Sequence, residues 1–297
     1  MRVEINHLTK RFGSVKAVDD LSFTVEPGKV TGFLGPNGAG KTTTLRAALD
    51  LIKPTAGNVT FDGKRYREIG KPMKQIGAAL EASSFHPGRK AIDHLRMLAP
   101  AVGAKQAQCL KVLEFVGLAD AAKKPVGQFS LGMRGRLGLA ATLLGEPKVL
   151  LLDEPNNGLD PEGIAWMRSL LREMASKGCA VLISSHMLSE VQLAVDDVVI
   201  IAKGKLVHAS PLSELADMAG EQTFVVPAYG EGFETLCRTR GWNFHRRGYG
   251  FEVVGPSAQE IGHVCYVEYL ELHQLSSQSQ TLESVFFAMT ENQEAAS

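Results

Sequence analysis

The decisive stretch of this sequence is Gly35-Pro36-Asn37-Gly38-Ala39-Gly40-Lys41-Thr42, which matches the pattern GxxxxGK[ST]. Its glycines allow the backbone to curl so that several N–H groups point at phosphate oxygens. The pattern predicts that the Lys41 ammonium reaches the terminal phosphates of a nucleotide and that the Thr42 hydroxyl binds Mg²⁺. The alternative is a Gly-rich structural turn that holds no ligand.

The residues on either side of this loop supply the context that a phosphate site requires. An apolar run from Lys29 to Leu34 precedes the loop and predicts a buried strand, and good helix formers follow from Thr42 to Leu51. The start of that helix adds partial positive charge where a phosphate would bind. Strand, loop and helix together favour a phosphate loop over a plain turn.

A pair of carboxylates follows a second apolar strand. The run from Lys148 to Leu152 is typical of a buried parallel strand, and Asp153-Glu154 comes directly after it. A carboxylate at this end of a parallel strand faces the ligand crevice. We expect Asp153 to hold Mg²⁺ through water, and Glu154 to orient and polarise the attacking water as general base. Taken alone, the pair could equally be a solvated acidic turn.

A third motif lies shortly before these carboxylates. Phe129-Ser130-Leu131-Gly132-Met133-Arg134 precedes a helix predicted from Leu137 to Leu144. A hydroxyl and free N–H groups at the start of a helix form an anion site, although an ordinary helix cap has the same pattern. A second phosphate site in one chain suggests that two chains share each nucleotide.

Taken in order, these motifs resemble the ATP-binding-cassette (ABC) family, whose LSGGQ signature lies just before the acidic strand end. The resemblance implies an α/β P-loop cassette with a parallel-sheet core, an antiparallel β subdomain and a helical subdomain at about residues 87–145. It also implies an ATPase that binds ATP and Mg²⁺, with each signature closing on the phosphate loop of a second copy. Two positions depart from the signature, since Leu131 replaces the first Gly of its GG pair and Met133 replaces its Gln.

Three further positions match the order of motifs in the family. Phe12 resembles the aromatic residue that stacks on adenine, although a lone Phe is more often a core residue. Asp160, in Gly158-Leu159-Asp160, resembles the loop that crosses the dimer interface, and it also suits the N-cap of a helix that begins at Pro161. The two roles of Asp160 can coexist. His186 resembles the switch histidine that touches the γ-phosphate, against the alternative of a structural histidine.

Glu81 is the informative departure, because the family has Gln here, where it touches Mg²⁺ and the membrane partner. A carboxylate is a stronger ligand for a hard cation than an amide is, but it also adds negative charge beside ATP. These two effects oppose each other. The alternative is an exposed surface acid. A Glu here resembles the subgroup that exports bacitracin-like and lantibiotic peptides, as do the segment 81–87 and the ending 281–286.

The predicted site therefore has three groups of residues. The catalytic group is Lys41, Glu154 and His186. The predicted metal ligands are Thr42, Asp153 and Glu81. The residues predicted to hold ATP are Phe12, Gly35, Pro36, Asn37, Gly38, Ala39, Gly40, Lys41, Thr42, Thr43, Ser130, Gly132 and Asp160.

Composition narrows the classes of function. The chain has 297 residues, with 32 Lys and Arg against 32 Asp and Glu, and this balance disfavours a nucleic-acid partner. Its four cysteines include no CxxC pair, which argues against a disulfide framework or a zinc site. No apolar stretch approaches the roughly 18 residues that a membrane span needs. We expect a cytoplasmic protein that lies on the inner face of the cell membrane through a partner.

The composition changes near Leu215. Beyond this residue the resemblance to the family is weak. We expect an ATP-binding domain at residues 1–215 and an accessory α+β domain at residues 216–297. Three strands and a last helix, followed by a loose tail after Glu291, are predicted in this region. The strands are Phe224–Val226, Phe251–Val254 and Val264–Leu270, and the helix is Thr281–Thr290.

Three functions remain open at this point. The first is the ATPase subunit of a transporter, which would export a peptide antibiotic, a drug or a similar hydrophobic compound through a separate membrane-spanning permease. The permease would dock around residues 81–98. The second is a cassette ATPase acting on ribosomes or DNA, which the single phosphate loop and the short span of about 90 residues between Thr42 and Ser130 disfavour. The third is an exporter of another cargo, such as a lipid.

Overall fold

The computed structural model describes residues 1–80, 85–218, 221–279 and 282–295. These residues divide into two compact units, one made of Met1–Leu212 with residues from Met289 onward and the other of Ser213–Ala288. The strands are β1 Val3–Phe12, β2 Val15–Val25, β3 Val30–Leu34, β4 Ala56–Phe61, β5 Ile76–Ala79, β6 Val149–Asp153, β7 Ala180–Ser185, β8 Asp197–Ala202, β9 Lys205–Pro211, β10 Glu221–Pro227, β11 Asn243–Arg247, β12 Gly250–Val254 and β13 Leu272–Ser279. The helices are α1 Lys41–Ala48, α2 Pro72–Gln75, α3 Ala91–Val102, α4 Gln106–Phe115, α5 Leu131–Leu143, α6 Pro161–Ser176, α7 Leu212–Met218, α8 Gly230–Arg240, α9 Ala258–Val267 and α10 Leu282–Ala295.

A six-stranded sheet forms the centre of the first unit. Its order is β5-β6-β7-β3-β8-β9, and every pair is parallel except β8 with β9. The register places Leu34 of β3 beside Ser185 of β7, and Asp153 of β6 beside Ser184 of β7. The carboxyl ends of β3, β6 and β7 therefore meet at one edge of the sheet. The two strands predicted at Lys29–Leu34 and Lys148–Leu152 are confirmed.

A three-stranded antiparallel sheet, in the order β2-β1-β4, covers part of the same core. Leu8 and Phe61 from this sheet share one buried cluster with Phe33 of β3, Leu45 of α1 and Leu151 of β6. Burying these side chains provides most of the driving force for joining the two sheets. The result fixes α1, and with it the phosphate loop, against the central sheet.

Helices occupy most of the segment between β5 and β6, as predicted. These are α3, α4 and α5, and α6 follows after β6. The Asp160 carboxylate caps α6 by accepting a 2.8 Å hydrogen bond from the Gly163 N–H, as its sequence position predicts. Among the described residues, no helix combines the length and the apolar character that crossing a bilayer requires.

The second unit has a β-α-β-β-α-β order, β10-α8-β11-β12-α9-β13, with a fully antiparallel sheet in the order β11-β12-β10-β13. This is the ferredoxin-like arrangement, in which the two helices cover one face of the sheet. Phe233 of α8 and Ile261 of α9 are fully buried against Val225 and Val253 of the central strands. This unit therefore has a hydrophobic core of its own.

Two expectations for this region were wrong. Val264–Leu270 is not a strand, because α9 runs to Val267 and ends in a turn. The Ser257 hydroxyl caps α9 at its start, and Ile261, Val264 and Cys265 bury one helical face. The loose tail predicted after Glu291 is also wrong, since α10 continues to Ala295. Thr281, the first residue of the predicted last helix, lies outside the described residues.

Replacing Phe233 with Ala tests the core of the second unit. We expect the free energy of unfolding of this unit to fall by about 3–5 kcal/mol, because the substitution leaves a cavity in a packed core. Urea unfolding can be followed by Trp242 fluorescence in a Trp166→Phe background, which leaves one tryptophan, in the second unit. Tyr269→Ala is the control, since Tyr269 is 96% exposed. An equal loss in both variants would contradict the assignment of Phe233 to the core.

Candidate phosphate and nucleotide site

The phosphate loop lies between the end of β3 and the start of α1. Gly40 precedes α1 with a φ of 106°, a conformation that L residues rarely adopt. A Cβ atom at Gly40 would lie 2.4 Å from the carbonyl oxygen of Ala17. Two independent constraints therefore require glycine here, and the loop can curl back over the start of the helix. A pocket of about 200 Å³ opens in this curl, lined by residues 37–43 together with Ala17 and Glu154.

Lys41 is almost completely buried in this pocket. Its ammonium donates a 2.6 Å hydrogen bond to the carbonyl oxygen of Gly35 and a 3.2 Å bond to that of Pro36. The same nitrogen lies 3.4 Å from Oε1 of Glu154. A cation held at this point by its own loop is placed to attract a negatively charged phosphate.

The hydroxyl of Ser184 connects the Asp153 carboxylate, at the end of β6, to the backbone of Glu154. Asp153 Oδ1 accepts a 2.5 Å hydrogen bond from this hydroxyl, and its Oδ2 accepts a 2.7 Å bond from the Thr42 hydroxyl. The Ser184 oxygen in turn accepts a 2.9 Å bond from the Glu154 N–H. The metal ligands predicted from sequence, Thr42 and Asp153, are therefore in direct contact, and Ser184 connects them to the predicted general base.

Glu154 has an unusual backbone for a side chain of its size. Its φ is 47°, in the left-handed region that favours glycine. Its carboxylate is nevertheless held on both sides, by Lys41 at Oε1 and by Nδ1 of His186 at Oε2, 2.8 Å away. Strain of this kind persists only where the surroundings over-determine the conformation, and it is concentrated at functional sites.

Contacts behind His186 were not anticipated from the sequence. The Ser185 hydroxyl donates to Oε2 of Glu190 at 2.8 Å, and the Asn156 side-chain amide donates to the Glu190 carbonyl oxygen at 3.2 Å. These bonds tie the turn after β7 to the loop after Glu154. A sequence signal was available, because Ser184 and Ser185 are polar residues at the end of a buried strand beside Asp153.

The remaining predicted residues lie apart from this pocket. The Ser130 hydroxyl accepts a bond from the Met133 N–H at 3.2 Å and caps α5, and Gly132 follows in the same helix. Asp160 caps α6. Phe12 is 51% exposed at the end of β1, with the Lys10 ammonium 4.8 Å from its ring centre. Glu81 lies outside the described residues.

The oxygen atoms of Thr42 and Asp153, beside the phosphate loop, suit a hard cation. Mg²⁺ prefers oxygen, and it binds through one or two side chains together with substrate phosphates rather than in a closed protein cage. The Thr42 hydroxyl and the Asp153 carboxylate are in contact beside the phosphate loop. Both donors therefore match what Mg²⁺ requires.

The parallel sheet, the phosphate loop and the acidic strand end define a P-loop ATPase. A family model described as "ABC transporter" matches residues 18–157. The chain is 44% identical over 216 residues to the bacitracin transport ATP-binding protein BcrA of Bacillus licheniformis, covering 72% of this chain and 71% of that one. It is 36% identical over 205 residues to the lantibiotic transport ATP-binding protein SrtF of Streptococcus pyogenes, covering 69% and 89%.

Among solved structures, the fold is similar to that of a dimeric post-hydrolysis state of the ATP-binding cassette MJ0796 bound to ADP and Pi. The TM-score is 0.64 at 21% identity, covering 71% of this chain and 98% of that one. The chain therefore belongs to the ABC transporter family, as an ATP-binding subunit. It binds ATP and is an ATPase.

Replacing Ser184 with Ala tests the hydrogen-bonded network. We expect the rate of ATP hydrolysis to fall by about 10–100-fold, because the variant leaves Asp153 and the Glu154 N–H without their shared partner. Affinity for ATP in the absence of Mg²⁺ should be retained. The measurement is phosphate release by the purified protein, with Ser169→Ala on α6 as the matched control. Wild-type turnover in Ser184→Ala would remove Ser184 from the site.

Proposed function

We propose that this ATPase drives a membrane-spanning permease that exports a peptide antibiotic or a similar hydrophobic compound. The observation that carries the catalytic part is the contact network in which Ser184 joins Asp153 to Glu154, while Lys41 and His186 hold the Glu154 carboxylate. The transport part is supported by the relatives, whose names refer to bacitracin and lantibiotic transport. In this proposal the permease is a separate membrane-spanning protein that the ATPase contacts.

Each residue of the network has a distinct role in this proposal. Lys41 offsets negative charge on the terminal phosphates, and Glu154 accepts a proton from the water that attacks the γ-phosphorus. His186 orients the Glu154 carboxylate through their 2.8 Å contact, and its predicted role is to touch the γ-phosphate. Thr42 and Asp153 would hold Mg²⁺, which when bound would neutralise negative charge on the phosphates. Glu81 stays a predicted third metal ligand.

A second copy of the chain completes the nucleotide site. The lining of the phosphate pocket comes from residues 37–43, Ala17 and Glu154, so the Ser130 segment of the same chain is not part of it. That segment lies on the surface, with Ser130 exposed and Leu131 58% exposed. In a head-to-tail dimer, Ser130 and Gly132 of one copy would face the phosphate loop of the other, and Asp160 and Phe12 would lie beside the nucleotide.

An apolar groove between the central sheet and the helical segment is the proposed contact with the permease. It has a volume of about 330 Å³, and Leu51, Met73, Phe85 and Leu98 are among its lining residues. Leu51 is 64% exposed and Met73 46% exposed, so both add exposed apolar area to this groove. Docking here would hold the protein on the inner face of the membrane, in the cytoplasm. The proposed domains are residues 1–215 for ATP and 216–297 for an accessory role.

Glu154→Gln tests the chemistry. We expect hydrolysis to fall by about 10²–10⁴-fold, because an amide cannot accept the proton, whereas binding of ATP should stay near that of the wild type. Phosphate release and equilibrium nucleotide binding measure the two effects, and size-exclusion chromatography with ATP and Mg²⁺ tests for the dimer. Glu114→Gln, an exposed acid on α4, is the control. Turnover near the wild-type rate would exclude Glu154 as general base.

Leu51→Asp tests the groove. We expect this variant to lose most of its co-purification with a membrane protein from detergent-solubilised membranes, because a charge in an apolar contact is costly to bury. ATP hydrolysis by the isolated variant should be unchanged. Leu110→Asp on α4, also partly exposed, is the matched control. Recovery of ribosomes or DNA in place of a membrane protein would contradict the transport proposal.

A further inference from the structure

Leu131 occupies a position where the family signature has Gly, and its side chain packs against Gly158. A Cβ atom built on Gly158 would be 2.1 Å from Cδ2 of Leu131 and 2.7 Å from its Cγ. Atoms of two side chains never approach so closely, so no larger residue fits at 158 while Leu131 keeps this position. Gly158 also has a φ of 76°, which independently favours glycine.

The contact is reciprocal. Leu159, the next residue of the loop, lies against the start of α5, with its Cδ2 3.6 Å from the Cβ position of Gly132 and 4.0 Å from that of Gly135. These two glycines are three residues apart and so share one face of the helix. The loop at residues 156–160 and the start of α5 therefore each contribute a leucine that contacts glycine in the other segment. We call this set of contacts the Leu–Gly interlock.

The loop held by this interlock begins at Glu154. The Asn157 N–H donates a 3.1 Å bond to the Glu154 carbonyl oxygen, and the Leu159 N–H donates a 3.1 Å bond to that of Asn156. The loop ends at Asp160, which caps α6. The backbone that follows Glu154 is therefore held by the capping of α6 at Asp160 and by the contact of Leu131 with Gly158.

A simple stability role explains Leu131 poorly. The side chain is 58% exposed, so it buries too little apolar area to contribute much to the core. The side chain does contact Gly158, in the loop that follows the positive-φ residue Glu154. A contact of this kind restricts where the loop can lie, and small displacements of catalytic groups have large effects on rate.

We infer that Leu131 is a positioning residue for hydrolysis, which holds the 156–160 loop through Gly158 and so helps to orient Glu154. Leu159 supports the same loop from the opposite direction, on Gly132 and Gly135. The start of α5, which carries Ser130, is thereby connected to the general base of its own chain. The inference rests on the proposed role of Glu154.

A double-mutant cycle between positions 131 and 158 tests the interlock. Leu131→Ala should lower kcat by about threefold to tenfold, with KM for ATP changed by less than about twofold, because orientation is lost while the phosphate loop is untouched. Gly158→Ala should lower kcat by at least about tenfold, since its methyl group meets Leu131. With both changes the two methyl groups lie 3.7 Å apart, an ordinary contact distance. The clash is absent from the double variant, but the positive φ at position 158 still disfavours Ala, so its kcat should lie above the product of the two single losses and below that of Leu131→Ala.

Three further measurements keep the result interpretable. Leu131→Met should restore most of the wild-type kcat, because Met can cover Gly158 with a similar volume. Leu110→Ala, an exposed leucine on α4, should leave kcat unchanged, and thermal unfolding should show that Leu131→Ala is as stable as this control. A double variant with the product of the two single losses, or wild-type kcat in Leu131→Ala, would overturn the inference. If Glu154→Gln hydrolyses ATP normally, the proposed general base fails instead.

Discussion

The pairing of β6 with β7 is the constraint on which the site depends. Their parallel register brings Asp153 beside Ser184, and one hydroxyl then serves both the side chain of Asp153 and the backbone of Glu154. A shift of one residue would turn the Ser184 side chain to the opposite face of the sheet. The observed register, from Val149 beside Ala180 to Asp153 beside Ser184, therefore determines hydrogen bonds that no local sequence pattern specifies.

Sequence patterns were sufficient where a function uses contiguous residues. The loop at Gly35–Thr42, the acidic pair at Asp153-Glu154 and the N-cap at Asp160 each follow from a short segment and its neighbours, and the structure places the first two in one site. Patterns failed where the contact depends on strand neighbours, as for Ser184, or on packing between distant segments, as for Leu131 with Gly158. Phe12 shows a different limit, because its predicted role, stacking on adenine, depends on a bound nucleotide.

The second unit contains a strand, β13, that the sequence pattern does not predict. The sequence of β13 is LHQLSSQS, with only two apolar residues, so its alternation is weak. The strand forms through main-chain hydrogen bonds to β10 at the edge of the sheet, where polar side chains can face water. The opposite error occurred at Val264–Leu270, where apolar residues suggested a strand. Val264 and Cys265 instead have helical spacing with Ile261, and the Ser257 N-cap marks where that helix begins.

Under the proposed role of Glu154 as general base, its left-handed backbone places activity and stability in conflict at a single residue. Glycine or asparagine would adopt a φ of 47° with less strain, so a copy that lost its base could gain folding stability in the same step. Selection for hydrolysis must continually oppose that drift. Among duplicated copies released from such selection, a change at position 154 to glycine or asparagine would relieve backbone strain, so inactive paralogues should accumulate these residues there.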